Sequence, residues 1–169
     1  SGRVMGSIPR EMKQPMEVGE HLELLVGRKV AVRPGPVIDA KSSLVVCATY
    51  DRDGGELACV LMCELPVAAG LSAALTLMPP GVAKDAVRSG GLDRAMMDNF
   101  SEVANICAQL VQVTSYPRST MSGTFQSGMG IPEEIMSFLE SAELRGDYMV
   151  DMMPYAQGSM AMFIKKPVY

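Results

Sequence analysis

The chain has 169 residues, 48% of them hydrophobic and 20% charged, with a mean hydropathy of +0.16. That is enough apolar material for one domain with a sizeable core, and it excludes a disordered or purely polar chain. The net charge of -4 mixes both signs, and no run of Lys and Arg forms a basic patch. Nucleic acid and anionic membrane surfaces are therefore poor partners.

No apolar run is long enough to span a bilayer; Val67–Leu77 is short and is interrupted by Gly70 and Ser72. The polar stretch Ser1–Gln14 has no apolar centre of the signal-peptide kind, so a cytoplasmic location is expected. Ser1–Val4, just ahead of Met5, reads as an appended expression leader. Residues 1–15 are expected to be a flexible leader, and residues 16–169 a single domain.

Cys47, Cys59, Cys63 and Cys107 each sit in an apolar run, as buried small hydrophobes do in a reducing compartment. No Cys-x-x-Cys occurs and His21 is the one histidine, so a zinc site is not expected. A single histidine also leaves ordinary Ser-His-Asp and Cys-His catalysis without a base, unless His21 serves. Its helical setting suggests a surface or boundary residue.

In chain order, Met16–Val26 has helical spacing and ends at Gly27. Lys29–Arg33 reads as a short strand closed by Pro34-Gly35-Pro36. Leu44–Tyr50 and Leu57–Leu65 are apolar strands flanking the turn residues Asp51-Arg52-Asp53-Gly54-Gly55, a hairpin signature. Pro66 opens a helix over Val67–Leu77, and Val82–Arg88 adds a short one. Asp93–Val113 carries the strongest helical pattern. A strand around Thr120–Phe125, a helix over Glu133–Ser141 following Pro132, and a hairpin of Asp147–Met153 with Ser159–Lys165 complete the chain. Hairpins impose antiparallel pairing, so the expected architecture is α+β: an antiparallel sheet backed by helices. No glycine-rich phosphate loop is present to support nucleotide binding.

The Asp93–Val113 helix carries the candidate chemistry. At roughly 100° per residue, Asp98, Glu102, Asn105 and Gln109 fall within a sector of roughly 60°. Met96, Phe100, Val103, Cys107 and Val111 point the other way, toward a core. A carboxylate and a carboxamide are thus presented one turn apart on a rigid element. Judged by periodicity alone, an ordinary solvated helix face is favoured over a catalytic one.

Asp98-x-x-x-Glu102-x-x-Asn105 resembles the Asp/Ser-x-x-x-Glu-x-x-Asn signature of the CheC/CheX/FliY chemotaxis phosphatases. Its core, Glu102-Val103-Ala104-Asn105-Ile106, is similar to the family's Glu-Ile-Ala-Asn-Ile type. The layout of hairpin, helix and motif helix is similar as well, across most of the chain. The resemblance implies a phosphatase acting on the aspartyl phosphate of a receiver domain. Glu102 would then contact a lysine of that receiver, Asn105 would orient the attacking water, and Asp98 would support them. It also implies no cofactor of the protein's own, a Mg2+ ion supplied by the receiver, and a homodimer. A non-catalytic scaffold on the same fold is the rival reading.

Many members of that family carry the motif twice. Here Glu17-Val18-Gly19-Glu20 echoes Glu102-Val103-Ala104-Asn105 with a carboxylate in place of the amide, and Leu25-Val26 matches Leu110-Val111. The first helix then reads either as a degenerate, inactive copy of an internal pseudo-repeat or as a chance similarity, and one working motif per chain is closest to the single-motif CheX type. Met149, Met152, Met153, Met160 and Met162 crowd the last hairpin. They read first as core filler and second as an adaptable interface.

Overall fold

The computed structural model describes residues 4–168. Its elements are α1 (Pro15–Val26), β1 (Ala31–Pro34), β2 (Val45–Arg52), β3 (Glu56–Glu64), α2 (Leu65–Leu75), α3 (Pro80–Ser89) and α4 (Arg94–Ile106). A 3-10 turn over Cys107–Val111 follows, then β4 (Thr120–Gln126), α5 (Glu133–Ser141), β5 (Leu144–Asp151) and β6 (Gln157–Ile164). The strands form one six-stranded sheet in the order β1-β5-β6-β3-β2-β4. Every neighbouring pair is antiparallel, as the hairpin reading expected.

Local chemistry explains most boundaries. Pro15 opens α1, where its missing N–H costs nothing, and Glu17 Oε1 accepts from the Gln14 backbone N–H at 3.1 Å. Gly27 ends the helix in the left-handed region at φ 75°, which favours glycine. Gly54 and Gly55 take φ of 89° and 79° to close the β2–β3 hairpin.

The last hairpin starts earlier than its composition suggests. β5 runs over Leu144–Asp151 rather than Asp147–Met153, because its ladder to β6 begins at Leu144↔Ile164. The Asp93–Val113 helix is also shorter as an α-helix than expected. It tightens after Ile106 into the 3-10 turn, which carries Gln109 off the α-helical register of Asp98, Glu102 and Asn105.

The sheet is covered on both faces. On one side α1, α2 and α4 bury Tyr50, Leu61, Phe100, Val103, Met160 and Met162. α2 sits at the centre of this layer, with residues around its whole circumference buried. On the other side α5 and the segment around Ile38 cover Cys47, Val60, Met62 and Phe163. Met152, Met160 and Met162 are core residues, while Met153 is exposed.

The segment ahead of α1, expected to be a loose leader, is laid against the sheet. Met5 bridges Pro36, and Met12 is only 2% exposed. The proposed expression leader Ser1–Val4 lies outside the described residues except for Val4.

Chain order and sheet order together reveal the repeat. A helix and three strands recur in chain order, α1-β1-β2-β3 and then α4-β4-β5-β6, the second copy with α5 inserted between β4 and β5. Reversing the sheet order exchanges β1 with β4, β2 with β5 and β3 with β6, leaving it unchanged. A pseudo-two-fold axis therefore passes between β3 and β6, where Leu61 pairs with Met162. Buried tyrosines mark the symmetry. Tyr50 on β2 donates its hydroxyl to the Ala104 carbonyl of α4, and Tyr148 on β5 donates to the Lys13 carbonyl ahead of α1, both at 2.7 Å.

Tyr50→Phe removes the bond and leaves a buried carbonyl short of a partner. It is expected to lower stability by about 1–3 kcal/mol, measured by urea unfolding followed by circular dichroism, with the fold retained.

Candidate functional site

α4 begins at an aspartate cap. Asp93 Oδ1 accepts from the Met96 N–H at 2.8 Å, which satisfies one of the helix's unpaired amino-terminal donors. Met96, Phe100, Val103 and Ala104 are buried, as the periodicity expected of the first three. Cys107 and Val111, from the 3-10 turn, join them in the core.

Polar bonds hold the flanks. Asn99 Nδ2 donates to the Ser72 carbonyl at 3.3 Å and to Thr76 Oγ1 at 3.2 Å, tying α4 to α2 and its end. Ser101 Oγ donates to the Met97 carbonyl and lies 3.3 Å from Thr124 Oγ1 on β4. The Tyr50 hydroxyl approaches from beneath. α4 is thus fixed to α2, β2 and β4, and the remaining side faces water.

On that side stand Asp98, Glu102 and Asn105, all exposed. None of the three makes a side-chain hydrogen bond or ion pair among the described residues. The expected juxtaposition of carboxylate and carboxamide is present on a held helix, with Asn105 in its last turn. Gln109 is exposed too, but it belongs to the 3-10 turn.

The site is a ridge and not a cavity. A cleft of about 240 Å³, lined by Ile38, Met62, Leu139, Arg145 and Phe163, lies on the sheet's opposite face under α5. Small-molecule sites enclose most of their ligand, which an exposed helix face cannot do. The geometry of Glu102 and Asn105 suits a substrate that brings its own concave wall.

The echo of the motif is legible in three dimensions. Glu17 and Glu102 are exposed, Val18 and Val103 buried, Gly19 and Ala104 buried, and Glu20 and Asn105 exposed. Leu22 and Cys107, and then Val26 and Val111, are buried in the same sequence. Glu20 therefore occupies on α1 the place that Asn105 holds on α4. A carboxylate there repels a phosphoryl group that an amide can hydrogen-bond.

His21 was expected at a surface or boundary, and it is half-buried. Sequence reading missed its bond: Nε2 lies 2.7 Å from the Ile106 carbonyl. The partner stands 85 residues away, so no local signal could have exposed it.

The cysteines play no part in this ridge. All four are buried and unpaired, and burial raises each thiol's pKa, to about 12 for Cys47 and for Cys107. Among the described residues no group of His, Cys, Asp and Glu is arranged to hold a metal ion. No helix among the described residues is long and apolar enough to cross a membrane.

No family model and no curated protein matches the chain. Among solved structures, it is similar to the crystal structure of FliY from Thermotoga maritima. The TM-score is 0.56 at 12% identity, over 95% of this chain and 92% of that one. A second likeness, at TM-score 0.43 and 8% identity, is to the CheX–CheY–BeF3–Mg2+ complex from Borrelia burgdorferi. It covers 87% of this chain and 92% of that one. The class defined here is thus an α+β domain with an all-antiparallel six-stranded sheet and paired, pseudo-symmetric helices. More particularly, the chain has a FliY-like fold.

Because the neutral thiol is favoured and sheltered, all four cysteines are expected to resist a water-soluble thiol reagent at pH 8 in the native protein. All four should react promptly in denaturant, as counted by absorbance.

Proposed function

We propose that the protein is a cytoplasmic phosphatase of the aspartyl phosphate on a response-regulator receiver domain. The observation that carries this reading is the unencumbered pairing of Glu102 and Asn105 on a helix fixed to three other elements. The family signature on those residues and the FliY-like fold support it.

The chemistry asks little covalent work of the enzyme. A water attacks phosphorus, the bond from phosphorus to the aspartyl oxygen breaks, and a carboxylate and inorganic phosphate are released. The barrier falls when the water is held in line with the breaking bond. Asn105 Oδ1 accepts a hydrogen bond from that water, while Nδ2 can donate to a phosphoryl oxygen. Glu102 pairs with a lysine of the receiver and sets the register of docking. Asp98 extends the same acidic stripe and supports that engagement. The Mg2+ ion belongs to the receiver's phosphorylated site, and this chain needs no cofactor of its own.

The same reading carries a homodimer formed through a sheet edge, the two edges being β1 and β4. Analytical ultracentrifugation at micromolar concentration is expected to give a mass of two chains; a single-chain mass removes the dimer and leaves the catalytic proposal intact.

The catalytic test is the decay of receiver phosphate with and without the protein. Asn105→Ala is expected to lower the turnover rate roughly a hundredfold with an unchanged thermal midpoint. Glu102→Ala is expected to raise the receiver concentration needed for half-maximal rate. Stable receiver binding with unaltered decay would instead indicate a scaffold.

A further inference from the structure

His21 stands beside the symmetry axis that relates α1 to α4, for its counterpart in the echo is Ile106, the residue whose carbonyl it meets at 2.7 Å. A carbonyl can only accept, so the imidazole donates through Nε2–H. That donor exists in the neutral Nε2–H tautomer and in the imidazolium alike. The flanking residues Val18 and Leu22 are fully buried, which anchors the ring's own helix in the core.

The bonded carbonyl sits where α4 gives way to the 3-10 turn, one residue after Asn105. There the chain passes from α-helical bonds to the i→i+3 bonds of the 3-10 turn over Cys107–Val111, whose geometry is poorer. Phe100 and Val103 hold the middle of α4, and the Tyr50 hydroxyl holds the Ala104 carbonyl from beneath. His21 takes hold of the next turn boundary from the opposite helix. The two bonds bracket the Asn105 peptide unit between successive carbonyl anchors.

We propose that His21 is a positioning residue for Asn105, its bond to the Ile106 carbonyl fixing the last turn of α4 so that the amide is presented in one orientation. This rests on the phosphatase reading for its catalytic consequence, though not for its structural one. The degenerate helix α1 then has a use: it has lost its amide and contributes the clamp that steadies the other copy.

Two arms test it on the full chain. In the first, receiver domains phosphorylated with acetyl phosphate are assayed with the parent, His21→Leu, His21→Gln and Asn105→Ala. His21→Leu is expected to lower kcat about tenfold with the half-saturating receiver concentration unchanged. His21→Gln, which restores an N–H donor at similar reach, should recover most of that loss. In the second arm, nuclear magnetic relaxation reads the order parameter of the Asn105 side-chain NH2 without any partner. It should fall in His21→Leu and recover in His21→Gln.

Unchanged order parameters in His21→Leu would overturn the proposal, whatever the assay gives. So would a kcat loss that His21→Gln fails to recover at equal thermal stability. If the parent and Asn105→Ala are alike in the assay, the phosphatase reading fails, and the relaxation arm alone decides the role of His21.

Discussion

Burial of one stripe of α4 decides which stripe is left for solvent. Phe100 and Val103 are fully buried on the sheet, and large-to-small changes at such sites cost about 2–5 kcal/mol. A helix so anchored cannot roll to hide Glu102 and Asn105. The backbone that carries the exposed pair is therefore held in place by the core that opposes it, and the proposed chemistry depends on that placement. An amide on a mobile loop would surrender the positioning that is its main contribution to hydrolysis of an already reactive phosphate.

The pseudo-two-fold organisation extends this constraint to the whole domain. The halves meet at the β3–β6 pairing, and each sends a buried tyrosine to the backbone at or ahead of the other's helix. Equivalent frameworks thus support α1 and α4, yet of the two exposed polar positions in the motif the first agrees, Glu17 with Glu102, and the second differs, Glu20 on one and Asn105 on the other. Fold stability needs the buried residues of both copies. The proposed chemistry uses the amide of only one, which leaves the wet side of the second copy without that constraint.

Much of this was legible in the chain itself. The spacing of Met96, Phe100 and Val103 gave the buried stripe, and the turn chemistry of Asp53-Gly54-Gly55 gave the β2–β3 hairpin. The cysteines' apolar neighbours foretold their burial. The errors share one cause. β5 was placed three residues late because Leu144-Arg145-Gly146 has little strand character of its own and becomes a strand by pairing with β6. The segment of residues 4–14 read as loose because its polar composition conceals Met12, which the sheet buries. The change to a 3-10 turn at Cys107 likewise has no signal in a run of apolar periodicity.

By itself, then, the sequence determined the element types, the antiparallel habit and the membership of the exposed stripe. These follow from local periods and turn residues, which act over a few positions. Tertiary structure alone decided the order of strands in the sheet, the symmetry axis between β3 and β6, and the meeting of His21 with Ile106. Those depend on contacts between residues far apart in the chain, and loop closure leaves no mark in any one segment of what it will bring together.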